Sequence, residues 1–284
     1  MKGIVLAGGT GSRLWPITRS VSKQLLPVYD KPMIFYPIAT LMLAGVRDIL
    51  IITTPQHQAQ YIELLGSGSS YGVHFEFASQ PEPRGLAEAF VIGEKFLNGE
   101  KCLMILGDNI FHGSGLGRDI SSNFPDSGAH IFTYEVSNPE DYGVLELDKD
   151  GTPLSITEKP KNSKSNMAVT GIYFFDSDVT EIAKSVRPSK RGELEITSVI
   201  ERYLESKTLS FTHLTRGAAW LDTGSPNSLN DAAAYVRIIE ERTGLKIGCL
   251  EEVALSNNWI SREDILANLS LTSSNSYFDY VRRL

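Results

Sequence analysis

Residues 2–33 read KGIVLAGGTGSRLWPITRSVSKQLLPVYDKPM, and the way glycines follow the apolar run decides the architecture. Ile4 to Ala7 is apolar, is cut off by Gly8, Gly9 and Gly11, and is followed by Arg13 and Lys23. That is the pattern of a buried strand entering a loop able to hold a phosphate. Glycine lacks a Cβ, tolerates positive φ and lets backbone N–H groups approach an anion. Taken alone, the glycines fit an ordinary strand-to-helix turn with two solvated cations better, because short motifs often match by accident. Two better-known loops are excluded by counting: the dinucleotide fingerprint needs Gly or Ala where Leu14 stands, and no Lys-Ser/Thr pair follows at P-loop distance.

Outward from this stretch, strands and helices alternate. Ile34 to Ala44 reads as a helix ending at Gly45, Asp48 to Thr53 as a buried strand, and Ala59 to Leu65 as a helix closed by Gly66. Val73 to Ala78 alternates like a third strand, Leu86 to Phe96 reads as one helix ending at Asn98-Gly99, and Cys102 to Leu106 as a fourth strand. Such alternation predicts an α/β fold, a Rossmann-like, mainly parallel sheet flanked by helices. Its ligand would lie at the carboxyl ends of the strands, where the glycine loop, Gln80 to Ala87 and Gly107-Asp108-Asn109 all fall.

Beyond residue 130 paired strands replace crossovers. Ile131 to Val136 reads as a strand, Tyr142 to Leu147 as another that turns at Asp150-Gly151 toward Ile156 to Lys159, and Ala168 to Phe175 as a third. We therefore expect a β-rich lobe inserted on the same sheet, about 131–225 beside a first part of about 1–130. A C-terminal helical segment, 241–284, follows a helix from Asn230 to Arg242 and includes one opened by Ser261.

The 34 acidic and 27 basic residues, net charge −7, leave no basic footprint for nucleic acid or an anionic membrane. No segment nears the roughly 18 uninterrupted apolar residues of a membrane span. Cys102 and Cys249 are too few for a disulfide framework. With a strand reached by the third residue and no leader to read as a signal peptide, the chain reads as cytoplasmic.

Asp108 stands at the mouth of the run CLMIL, and Asp222 after Ala219-Trp220-Leu221 and before Thr223-Gly224. A carboxylate at a strand end suits a divalent cation as a hard oxygen ligand. Each could equally cap a following helix, for Asp222 the one starting near Pro226. His57, His74, His112, His130 and His213 show neither metal-ligand spacing nor an acid-base partner.

Gly8, Gly9, Gly11, Arg13, Leu14, Pro16 and Thr18, then Ser22-Lys23 and Lys31-Pro32-Met33, resemble the signature of the sugar-1-phosphate nucleotidylyltransferases. The resemblance runs from Lys2 to about Trp259 and is greatest to the members that join dTTP to glucose 1-phosphate. It implies the nucleotidyltransferase fold over about 1–240, with Asp108 and Asp222 holding a magnesium ion. It also implies Arg13 on the leaving pyrophosphate and Lys23 on the α-phosphoryl oxygens. Leu6, the glycine loop, Gln24, Gln80, Pro83, Gly85 and Leu86 would bind the nucleotide. Tyr142, Gly143, Glu158, Lys159, Val169, Gly171, Tyr173 and Arg191 would bind the sugar phosphate, with Val169 to Gly171 as a turn. The tail resembles the portion that joins tetramer contacts, implying a homotetramer with a second nucleotide site. A flat amide such as that of Gln80 matches thymine and uracil alike, so a uridylyltransferase stays open as a reading. A catalytically silent nucleotide-sugar sensor does too.

Overall fold

A computed structural model of the chain describes residues 1–269 and 275–284. Strand β1 (Lys2–Ala7) leads through the glycine loop to a two-residue ribbon, β2 (Pro27–Val28) and β3 (Lys31–Pro32), and then to helix α1 (Phe35–Leu43). Strand β4 (Asp48–Thr53), α2 (Gln58–Leu65), β5 (His74–Ser79), α3 (Glu88–Ile92), α4 (Glu94–Leu97) and β6 (Cys102–Leu106) complete the alternation. Strands β1, β4, β5 and β6 pair in parallel. The single helix expected over Leu86 to Phe96 is two that meet at Gly93, whose ψ of 5° leaves the helical range although its N–H still donates to the Ala89 carbonyl at 2.9 Å; a Cβ there would lie 3.1 Å from Leu50.

The two-residue side-chain period of a strand explains how the sheet is covered. Val5, Ala7, Ile49, Ile51, Leu103 and Ile105 point into one core with α1; Ile4, Leu6, Leu50, Ile52, Cys102 and Met104 point into the other. Both faces are therefore apolar, which is why these strands read as continuous hydrophobic runs.

After β6 come β7 (Asn109–His112), α5 (Leu116–Ser121), β8 (Ala129–Glu135), β9 (Gly143–Leu147), β10 (Pro153–Glu158) and β11 (Met167–Phe175). β11 runs antiparallel to β6, β8 and β9, and β9 and β10 form the expected hairpin. Then follow α6 (Val179–Ser185), α7 (Ile196–Glu205), β12 (Leu209–His213) and β13 (Ala219–Asp222), which pairs with β7. The result is a nine-stranded, mainly parallel sheet, as expected.

Helix α8 (Pro226–Thr243) starts at a Ser225 capping box, and α9 (Leu250–Ser256), α10 (Arg262–Asn268) and α11 (Ser276–Val281) end the chain. Ser261 caps α10 as its sequence predicts, and Leu245 to Gly248 connects α8 to α9. Four charges are enclosed where this tail meets the ribbon. Lys31 donates to Asp30 at 2.6 Å and to Glu240 at 2.9 Å, and Lys246 donates to Glu240 at 2.7 Å and to Asp30. The side chains of Lys31 and Glu240 are 2% and 3% exposed. Each lysine thus bridges the same two carboxylates, which offsets the desolvation that buried charges cost.

Candidate active site

The glycine loop meets the sheet's carboxyl edge. Gly9 and Gly11 have φ of 129° and 58°, values open to glycine, and the Thr18 hydroxyl closes the loop on the Gly11 carbonyl at 2.9 Å. The chain then makes three 3-10 turns rather than an α-helix, the last of which carries Lys23 and Gln24. The buried Lys23 ammonium donates to Asp108 Oδ2 at 2.5 Å. The loop after β1 is thereby locked to the end of β6.

Both aspartates belong to the site and cap no helix. Asp108 is followed by strand β7, and α8 is capped by Ser225, three residues beyond Asp222. The β7–β13 ladder pairs Asp222 with Asn109, which brings the two carboxylates to one place. Thr223 fastens them, since its hydroxyl donates to the Asp108 carbonyl at 2.8 Å. At Gly224 a Cβ would lie 3.0 Å from Asp222 Oδ2 and 3.3 Å from an Arg13 nitrogen, so glycine there lets the carboxylate and the guanidinium approach.

The two acids differ electrostatically. Burial would raise the Asp108 carboxyl, but the Lys23 ammonium outweighs it and holds the group below its usual range. Burial, and next the charge of Asp108, push the Asp222 carboxyl above its usual range. Its carboxylate has no hydrogen bond or ion pair among the described residues. A desolvated anion beside a second anion is the situation that a divalent cation relieves, and hard oxygen donors suit magnesium-like ions. The pair fits such an ion, although no group of three or more His, Cys, Asp or Glu gathers at one point among the described residues.

On the far side lies a wall of acids and aromatics. The Asn109 side chain donates to Asp108 Oδ1 at 2.9 Å and accepts from the Trp220 indole at 2.6 Å. Trp220 lies 5.0 Å from the ring of Tyr142. Burial, and next Glu195, raise the Glu158 carboxyl. Arg191 is held by Glu195 at 2.9 Å, with Glu193 at 3.4 Å and Glu158 at 3.5 Å, so its charge is engaged by three acids. Val169 to Gly171 is no turn: it lies inside β11, at an irregularity between Val169 and Tyr173. A Cβ at Gly171 would fall 2.4 Å from Asn109 Oδ1, so the glycine makes room for the asparagine.

One cavity of about 500 Å³ gathers Leu6, Gly8, Arg13, Gln24, Leu86, Asp108, Tyr142, Gly143, Glu158, Lys159, Val169, Gly171, Tyr173, Arg191 and Asp222. A smaller one of about 180 Å³ adds Gly9, Gly11 and Lys23, sharing Gly8, Arg13, Gln24 and Asp108 with the first. Gln80, Pro83 and Gly85 line neither. Gln80 is buried behind Gly8, Pro83 is exposed, and Gly85 packs its backbone on Leu194. The sequence reading assigned no role to Asn109, Trp220, Glu195 or Thr223; for Asn109 and Thr223 the usable signal was their adjacency to an aspartate.

The sequence model of the nucleotidyl transferase family matches residues 2–237. The chain belongs to that family. As a nucleotidyl transferase it is 50% identical over 285 residues to the glucose-1-phosphate thymidylyltransferase of Neisseria meningitidis, covering 100% of this chain and 99% of the relative. A Bacillus anthracis protein assigned as a glucose-1-phosphate thymidylyltransferase, solved in complex with a sucrose, superposes with a TM-score of 0.77. It is 40% identical, over 84% of this chain and 95% of its own. A UDP-glucose pyrophosphorylase complexed with UDP-glucose superposes at 0.72 and 26% identity, over 84% and 98%. No helix among the described residues is long and apolar enough to cross a membrane.

Proposed function

We propose that this nucleotidyl transferase moves a thymidylyl group from dTTP to glucose 1-phosphate, giving dTDP-glucose and pyrophosphate. The observation that carries this reading is the cavity that gathers Gly8 of the glycine loop and Arg13 with Glu158, Lys159 and Arg191 and with both Asp108 and Asp222. Its two ends suit two phosphorylated substrates, and full-length similarity to thymidylyltransferases supports the choice of base and sugar.

A phosphate oxygen of the sugar phosphate attacks the α-phosphorus in line. The new P–O bond forms as the bond from the α-phosphorus to the oxygen bridging toward the β-phosphorus breaks, and that oxygen leaves with pyrophosphate. The nucleophile is anionic at neutral pH, so no protein nucleophile is required. Placement and charge supply the catalysis. Arg13 and the glycine-loop amides take up charge on the leaving pyrophosphate, and Lys23 meets the α-phosphoryl oxygens. Lys159 and Arg191 orient the nucleophile's phosphate, and Glu158 accepts sugar hydroxyls beside Gly143, Val169, Gly171 and Tyr173. Magnesium, held by Asp108 and Asp222, would neutralise charge shared by the two phosphates.

Leu6, Gln24, Gln80, Pro83, Gly85 and Leu86 form the nucleoside side of this reading. Two buried free cysteines accord with a cytoplasmic enzyme. A homotetramer, and a division into a nucleotide part of about 1–130, a sugar-phosphate part of about 131–225 and a regulatory tail from 241, follow from the family resemblance.

The test is pyrophosphate release with magnesium and glucose 1-phosphate from dTTP, UTP, ATP or GTP, with Asp222→Asn as control. Preference for dTTP, lost in the variant, is expected. Uracil presents the same pairing edge as thymine, so preference for UTP moves the assignment to UDP-glucose synthesis. Silence with all four from a protein that still binds nucleotide leaves a sensor.

A further inference from the structure

Gln80 is 4% exposed, and its two amide atoms have unequal surroundings. Nε2 donates to Glu88 Oε2 at 2.8 Å and to the Gly85 carbonyl at 3.1 Å. Both partners are acceptors only, so chemistry alone requires the nitrogen on that side. The oxygen is thereby turned to Gly8, where a Cβ would lie 2.6 Å from Oε1. Among the described residues no donor reaches that oxygen. Gly8 itself lines the cavity, beside Leu6 and Leu86. The Gly85 carbonyl is held in turn, because φ of 104° packs this residue on Leu194, where a Cβ would fall 2.4 Å from the carbonyl oxygen.

Building on the reading above, we propose that Glu88 is the positioning residue that sets which bases the site accepts. By holding the Gln80 nitrogen, it keeps an unpaired acceptor oxygen turned to Gly8, the backbone that separates it from the cavity beside Leu6 and Leu86 and that carries no side chain to cover it. A pyrimidine with a ring N–H on its pairing edge, thymine or uracil, donates to that oxygen. Cytosine sets a ring-nitrogen lone pair against it, and a buried polar group left facing another acceptor is costly. Without Glu88 the amide could turn over and offer its nitrogen to cytosine instead. Gly8 belongs to the same device, because any side chain there would push the oxygen away.

The test is the affinity of the full chain for dTTP and for dCTP, by calorimetry with magnesium and no sugar phosphate, so that no turnover intervenes. Glu88→Ala is expected to shrink the dTTP:dCTP affinity ratio by about tenfold, the scale of a lost charge-assisted hydrogen bond. Glu88→Gln can still accept from Gln80 and is expected to keep the ratio within about threefold. Glu88→Ser, too short to reach Gln80 and suited to the start of α3, is read in parallel in case the alanine variant is poorly folded. An unchanged ratio in the alanine or serine variant, with both affinities falling together, marks a merely structural role and overturns the proposal. So does a parent protein that binds dCTP as well as dTTP. Failure of the catalytic reading shows instead in pyrophosphate release and leaves these affinities unaffected.

Discussion

Replacing Thr223 by valine removes one hydroxyl and keeps the side chain's shape. Thr223 is fully buried, and its hydroxyl donates to the Asp108 carbonyl at 2.8 Å while touching the Met33 sulfur at 3.2 Å. The other donor to that carbonyl, the Thr223 N–H, stands at a longer 3.3 Å. Valine therefore presses a methyl group against an under-satisfied buried acceptor, at a cost of about 1–2 kcal/mol. For a chain of this size that lowers Tm by roughly 3–6 °C. Turnover should suffer more than stability, because the same bond locates Asp108 against Asp222. Displacing a reacting group by 1 Å can cost about a hundredfold, so a shift of a few tenths of an ångström is expected to lower kcat by about tenfold. Thr223→Ser keeps the hydroxyl and is expected to restore kcat while losing stability through the missing methyl. Thermal unfolding and pyrophosphate release on the three proteins decide the matter. A valine variant with kcat within twofold of the parent would refute the idea that this hydroxyl places Asp108.

Gly171→Ala puts a methyl 2.4 Å from Asn109 Oδ1 in a buried strand, so Asn109 must give up Asp108, Trp220 or both. Overpacking of this kind costs about 1–3 kcal/mol, visible as a lower urea midpoint, with turnover reduced as well; an unmoved midpoint contradicts the packing. His130 is a pH sensor for stability, because burial between the Ser210 and Thr212 hydroxyls lowers its pKa to about 4. A depressed histidine contributes stability that is present above its unfolded value near 6.5 and is lost as pH falls toward 4. By linkage the parent loses about 2–3 kcal/mol on this account by pH 4.5, and His130→Asn should lose correspondingly less between pH 7 and pH 4.5. Equal acid sensitivity in the two proteins refutes it.

What sequence made legible was local. The runs around Ile4, Asp48 and Cys102 are apolar on both faces because helices cover both, and that composition survives without knowledge of any partner. The glycine loop and the two aspartates stood out because each interrupts or ends such a run. Features that depend on distant pairing were not legible. The family resemblance implied a turn over Val169 to Gly171, whereas the apolar run from Ala168 to Phe175 rightly read as a strand, and the glycine inside it serves Asn109 from another strand. Leu86 to Phe96 keeps helical periodicity across Gly93, and nothing in that periodicity shows that Leu50 and Ile4 pack close beneath the glycine where the two helices meet. Arg191 resembled a phosphate-binding cation, and nothing in its spacing showed that Glu195, Glu193 and Glu158 gather around it. Glu88 lies eight residues from Gln80, and nothing in the spacing ties one to the other.

The enclosed quartet of Asp30, Lys31, Glu240 and Lys246 bears on where this chain can be shortened. The family match ends at residue 237, inside α8 and ahead of both distal members of the quartet. A polypeptide trimmed to that boundary would strand Lys31 and Asp30 beneath the remaining helix with half of their counter-charges gone. A unit that keeps the quartet whole extends at least through Lys246, nine residues past the end of the family match, so a boundary drawn from similarity alone falls short of the electrostatic one.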